Sequence, residues 1–139
     1  MIITDRQDEL AGWLCSRAGG DHTKIKGQYI GNEINGKIVA VTGYTHFDGD
    51  TVRIHIAGDG KGGWFSREFC WFCFFYPFEQ LGVKKLIGHV AGENKAALRF
   101  DKHLGFVVEQ VVKGAAGGDD LHILTMTKDQ CRFLKRKSQ

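Results

Sequence analysis

Apolar residues along this chain change their spacing several times, and each change marks an element. Leu10, Trp13, Leu14 and Arg17 share one face at helical spacing and predict a helix over residues 5–18, stopped by Gly19 and Gly20. The polar stretch 21–26 reads as a loop. Residues 28–34 alternate weakly, and Asn35-Gly36 then sits between two strand-like runs, the strongest short-range signal for a tight hairpin. Over 36–47, Ile38, Ala40, Thr42 and Tyr44 alternate with Val39 and Val41. After the turn at Asp48-Gly49-Asp50, a third strand over 51–57 places Val52, Ile54 and Ile56 on one side.

The second half changes character. A glycine-rich loop over 58–63 leads into a very apolar helix over 64–81. Phe65, Phe69, Phe72, Cys73 and Tyr76 share one face, and Trp71, Phe74, Phe75 and Phe78 fill much of the rest, which predicts burial on several sides. Pro77 cannot donate its amide and is expected to kink or tighten the last turn, and Gly82 closes the helix. A strand over 84–91 follows, then a helix capped by Asn94, with Ala97, Phe100 and Leu104 on one face and Gly105 as its left-handed stop. Strands over 106–112 and 121–127 are joined by a mobile connection at 114–118. A short last helix over 128–135 and a basic tail at Lys135, Arg136 and Lys137 end the sequence. The order is α/β (α+β): a mixed, mostly antiparallel sheet of about six strands with helices on both faces. The crossover helix between the third and fourth strands requires those two to be parallel.

With 139 residues, the chain is long enough for one real core and too short for two, so a single domain over 1–139 is expected. A net charge of +3 neither demands nor excludes a polyanionic partner. No run of 18 apolar residues predicts a membrane span, and the N-terminal residues lack the basic start and apolar stretch of a secretory leader. A cytoplasmic, reducing compartment is expected, with the cysteines as free thiols. Cys70 and Cys73 form a lone Cys-x-x-Cys without a second ligand pair, so they are read as small buried hydrophobes and no metal is expected.

The stretch Asn94-x-x-Ala97-x-Arg99-x-x-x-x-Leu104-Gly105-Phe106 resembles the last conserved block of the GNAT N-acetyltransferase superfamily, nearest its ribosomal-protein alanine acetyltransferase branch. The order Trp64-Phe65-x-Arg67-Glu68-Phe69 before Tyr76-Pro77-Phe78 also looks like small acetyltransferase-like proteins encoded by bacteriophages, which would place the chain in a host cytoplasm. The resemblance implies an acyl-CoA N-acyltransferase-like fold in which two parallel strands splay and the pantetheine arm of acetyl-CoA lies between them. Dimers are common in the family. A protein N-terminus, a lysine, a small polyamine or a modified nucleobase would each serve as the amine acceptor.

Glycines ahead of a helix either make a flexible turn or let backbone amides cradle phosphate. In the family the phosphate loop joins the fourth strand to the third helix. Matching Tyr76, Pro77, Phe78, Leu81 and Gly82 to that branch puts the loop at 61–66. Lys61 then stands where arginine is usual, Gly62 at the first glycine and Trp64 in place of the second. Amides of Gly62, Gly63, Trp64, Phe65, Ser66 and Arg67 are expected to hold the pyrophosphate, with charge added by Lys61 and Arg67. The resemblance also implies that a backbone amide at Ile56 or Ala57 holds the thioester carbonyl, and that Asn94 touches the cofactor besides capping its helix. For the base, His55 faces the opposite side of its strand from Ile54 and Ile56 and titrates near neutrality; His89 or a water relay competes with it. The tyrosine that serves many members as acid falls at Asp101 or Phe100, so the acid is unassigned. An inactive scaffold, serving as a virion or host-interaction protein, is the alternative. The aromatic residues 65–78 read as core, and neither they nor the basic tail calls for a nucleic acid.

Overall fold

Asn35 and Gly36 both take positive φ, 52° and 78°, the pair that a two-residue hairpin with the right twist requires. They join β2 (Gly27–Ile34) to β3 (Lys37–Thr45), which pair antiparallel with Ile34 opposite Lys37. The computed structural model describes residues 1–18, 26–63 and 65–134. The expected stop at Gly19-Gly20, most of the 21–26 loop, Trp64 and the basic tail fall outside those residues.

Within them the elements run β1 (Ile2–Ile3), α1 (Gln7–Ala18), β2, β3, β4 (Thr51–Gly58), α2 (Arg67–Phe75), a π turn (Tyr76–Gln80), β5 (Lys85–Ala91), α3 (Lys95–Leu104), β6 (Val107–Ala116), β7 (Asp119–Thr127) and a 3-10 turn (Lys128–Gln130). Among the described residues the strands form a seven-stranded sheet in the order β1-β2-β3-β4-β5-β7-β6. Among the described residues only β4 and β5 are parallel, as the crossover through α2 demands. β1 is the strand missed in the sequence, because two residues carry no periodicity; it is held by Ile2 opposite Asn32 and Ile3 opposite Gly31.

Period-two alternation sends each strand's side chains to two cores. Ile30, Ala40, Tyr44, Val52, Leu86 and Leu124 pack with α2 and α3 on one face. Tyr29 and Val41 pack with Leu10, Ala11 and Leu14 of α1 on the other. Helices therefore cover both faces. Cys70, Cys73 and Cys131 are buried, and desolvation pushes the Cys70 and Cys73 thiols up to about 12, so they remain protonated.

Several expectations need correction. The apolar helix begins at Arg67, because the Ser66 hydroxyl caps it by accepting from Phe69 N at 3.1 Å, and Phe65 lies before that cap. Against the expected burial on several sides, one broad face with Phe69, Cys70, Cys73 and Phe74 is buried while Trp71 and Phe72 are 39% and 37% exposed, and Trp71 stacks on Phe75 at 4.4 Å between centroids. Pro77 widens the last turn instead of tightening it, with Leu81 N bonding to Tyr76 O. The connection expected at 114–118 is mostly strand, turning at Gly117 and Gly118 with φ of 60° and 94°. The last helix shrinks to Lys128–Gln130.

Candidate active site

Three ladder pairs tie β4 to β5: Thr51 to Lys85, Val52 to Leu86 and Arg53 to Ile87. Beyond them the strands part. β4 follows β3 to the pair Ala40–Gly58, and β5 follows β7 to the pair Ala91–Leu121, so each stays with its other neighbour. Facing backbone groups of 54–58 and 88–91 are left without ladder partners between the two strands, and such groups need partners from elsewhere. A cavity of about 530 Å³ fills the opening, walled by β4, β5 and α3. Gly88 keeps it open on the α3 side, where an added Cβ would sit 3.9 Å from Asp101 Oδ2.

Of the residues singled out in the sequence, His55, Ile56, Ala57 and Asn94 come together around this cleft. Asn94 Oδ1 accepts from Ala97 N at 3.2 Å and caps α3. Its amide donors have no partner among the described residues, so a capping role and a ligand contact do not compete. His55 Nε2 lies 3.0 Å from Thr45 Oγ1. Burial, then the charges of Arg53, His46 and His89, push its pKa down to about 4, so the imidazole is neutral at pH 7. His89 also lines the cleft and is more exposed; burial and the same Arg53 and His46 charges lower it.

Asp101 lines the cleft from α3 and has no ion-pair or side-chain hydrogen-bond partner among the described residues. Burial alone raises it to about 6, so its proton exchanges far closer to neutrality than an ordinary carboxyl's. Spacing held a signal for it. Asp101 lies four residues after Ala97 and three before Leu104, so a carboxylate interrupts the apolar stripe of α3.

The described phosphate-loop residues occupy a neighbouring place and do not line the cleft. Lys61 N is taken by Asp59 Oδ1 at 2.9 Å. Backbone amides of Gly62, Gly63, Ser66 and Arg67 have no acceptor among the described residues, and all four residues are exposed at the start of α2. Gly63 needs its positive φ of 89°, whereas a Cβ on Gly62 would meet nothing within 4 Å. The Phe65 ring meets Phe100 edge-on at 5.2 Å and so joins this loop to the cleft wall. Arg67 and Phe65 also line a cavity of about 440 Å³ between α2 and α3 with His103 and Arg132.

No protein-family model matches the chain, and no curated protein matches its sequence. Solved structures do share its fold. Spermidine N-acetyltransferase from Vibrio cholerae, in complex with CoA and spermine, superposes with a TM-score of 0.73 at 14% identity, covering 97% of this chain and 98% of that one. N-acetyltransferase PseH from Campylobacter jejuni, in complex with acetyl coenzyme A, gives 0.60 at 16% identity, covering 77% of this chain and 72% of that one. The likeness is one of fold: a mixed, mostly antiparallel sheet of the acyl-CoA N-acyltransferase type seen in GNAT enzymes.

Proposed function

We propose that this protein transfers an acetyl group from acetyl-CoA to a primary amine. The parting of β4 from β5 carries this reading. It presents unpaired backbone groups, a neutral imidazole and a desolvated carboxyl to one opening wide enough for an extended thioester arm. The Ile56 or Ala57 amide holds the thioester carbonyl oxygen as negative charge develops there. Amides of Gly62, Gly63, Ser66 and Arg67, with the Lys61 and Arg67 side chains, hold the pyrophosphate at the start of α2, and the same role is assigned to Trp64 and Phe65. The Asn94 side-chain amide donates to the arm. The amine nitrogen bonds to the carbonyl carbon, His55 takes the nitrogen's proton, the C–S bond breaks, and Asp101, through the protonated fraction that a pKa of about 6 leaves near neutrality, gives a proton to the thiolate and regains one from solvent.

Melting with and without acetyl-CoA tests the reading. A ligand held only by the native state stabilises it by about 2.7 kcal/mol at a hundredfold excess over Kd. Gly62→Glu should fold normally, since the new side chain enters open space, and should abolish the shift by placing a carboxylate at the anion site. No shift in the unaltered chain would favour a scaffold that keeps the fold without turnover, and an unchanged shift in the variant would misplace the phosphate loop.

A further inference from the structure

His55 is one end of a hydrogen-bonded chain that leaves the cleft. Its Nε2 is 3.0 Å from Thr45 Oγ1, and the same hydroxyl is 2.9 Å from Nδ1 of His46. Thr45 is buried at 4% exposure, so its hydroxyl has no bulk water to choose instead. His46 is exposed, and with Thr45 it lines a second, open cavity of about 470 Å³ at the end of β3. The chain thus runs from the acyl cleft, along one face of the sheet, to the end of β3 that is open to solvent. His46 also holds a left-handed backbone with φ of 56°, a conformation that costs free energy in a residue other than glycine and clusters at functional positions.

We propose that Thr45 and His46 extend His55 into a proton exit, carrying the proton lost by the acceptor amine from the cleft to solvent. This rests on the acyl-transfer reading above. Two tautomer patterns of opposite direction satisfy both contacts, and the outward relay uses the one in which His55 Nε2–H donates to Thr45 Oγ1 and the Thr45 hydroxyl donates to His46 Nδ1. His55 Nδ1, which has no protein partner among the described residues, is then the acceptor. As the amine's proton arrives on Nδ1, His55 passes its Nε2 proton to Thr45, Thr45 passes its own to His46 Nδ1, and His46 sheds its Nε2 proton to water. Each residue gains one proton and loses one, and both imidazoles are left in the other tautomer, which exchange with solvent resets before the next turnover. A relay suits a group held near 4, because such an imidazole cannot retain the proton at neutral pH and has to hand it on. The groups around it are Arg53 on its own strand, His89 on β5, Arg17 on α1, Asp101 on α3 and, at the outer end, Lys26 beside β2.

The test compares Thr45→Ser, Thr45→Val and His46→Asn in the full chain, with acetyl-CoA-dependent melting run beside thiol release. Serine keeps the hydroxyl and should hold kcat/KM within about twofold. Valine should lower it by about 100-fold, the lower end of the range that general acid–base contributions span. Asparagine, which tolerates the left-handed backbone, should lower it about tenfold, with partial rescue by added imidazole. All three should keep the acetyl-CoA melting shift. Nitrogen-15 spectra of the unaltered protein at pH 7.5 should find the His55 proton on Nε2. Equal rates for serine and valine, or a His55 proton on Nδ1, would overturn the relay and leave acyl transfer standing. Absence of both a melting shift and thiol release in the unaltered chain would overturn acyl transfer, and the relay with it.

Discussion

Burial raises the Asp101 carboxyl from its ordinary 3.8 to about 6, so at pH 7.5 the folded chain carries a charge that its surroundings solvate poorly. Native Asp101 favours folding below about 3.8, and that contribution is lost as pH rises through 6. Asp101→Asn should therefore stabilise the fold at pH 7.5 by of order 1–3 kcal/mol, measured by urea denaturation, and by nothing at pH 3.8. The same substitution should slow thiol release about a hundredfold, because the amide cannot reprotonate the leaving sulfur. A variant that is both more stable and fully active would remove Asp101 from the chemistry. His55 has the opposite sign. Its depressed pKa contributes stability above about 6.5, and that is lost as pH falls towards 4. His55→Gln should flatten the acid side of the stability profile across that window. His55 could be found in the sequence because strand alternation and residue type sufficed. Thr45 could not: its partnership with His55 depends on a register in which Gly43 faces His55 and Thr45 faces Arg53. The protonation of Asp101 is set by burial, which spacing hints at without fixing.

Pro77 shows how one residue's covalent chemistry shapes an element. Lacking an amide hydrogen, it leaves the carbonyl four residues back, on Cys73, without its helical donor. The Tyr44 hydroxyl donates to that carbonyl from β3, where it is 2% exposed, and so binds helix to sheet. Tyr44→Phe should cost about 1–3 kcal/mol by stranding a buried acceptor. In a Pro77→Ala background the cost should shrink, since an alanine amide can take over. A urea double-mutant cycle with no coupling between the two sites would refute that account. The α3 boundaries could be predicted because both signals are local: Asn94 caps one end, and Gly105 takes φ of 117° at the other while Phe106 N bonds to Asp101 O. The exposed Trp71 and Phe72 could not, because composition alone cannot say which side of an apolar helix its neighbours leave open.

Across the whole molecule, element order was enough to predict the parallel β4–β5 pair, since a crossover helix allows little else. Where the pair opens was not predictable, because it depends on how far β3 and β7 each hold their own partner. Deuterium exchange should distinguish the consequences. Amides of 54–58 and 88–91 that face the opening should exchange fast in the free protein and slow down with acetyl-CoA, while the Val41 and Leu124 regions stay protected in both. Three rungs are all that stitch the two leaves of the sheet along that spine. A thioester arm lodged beyond them would act as a splint, so cargo and keystone become one object, and an empty molecule should flex about the seam that a loaded one holds shut.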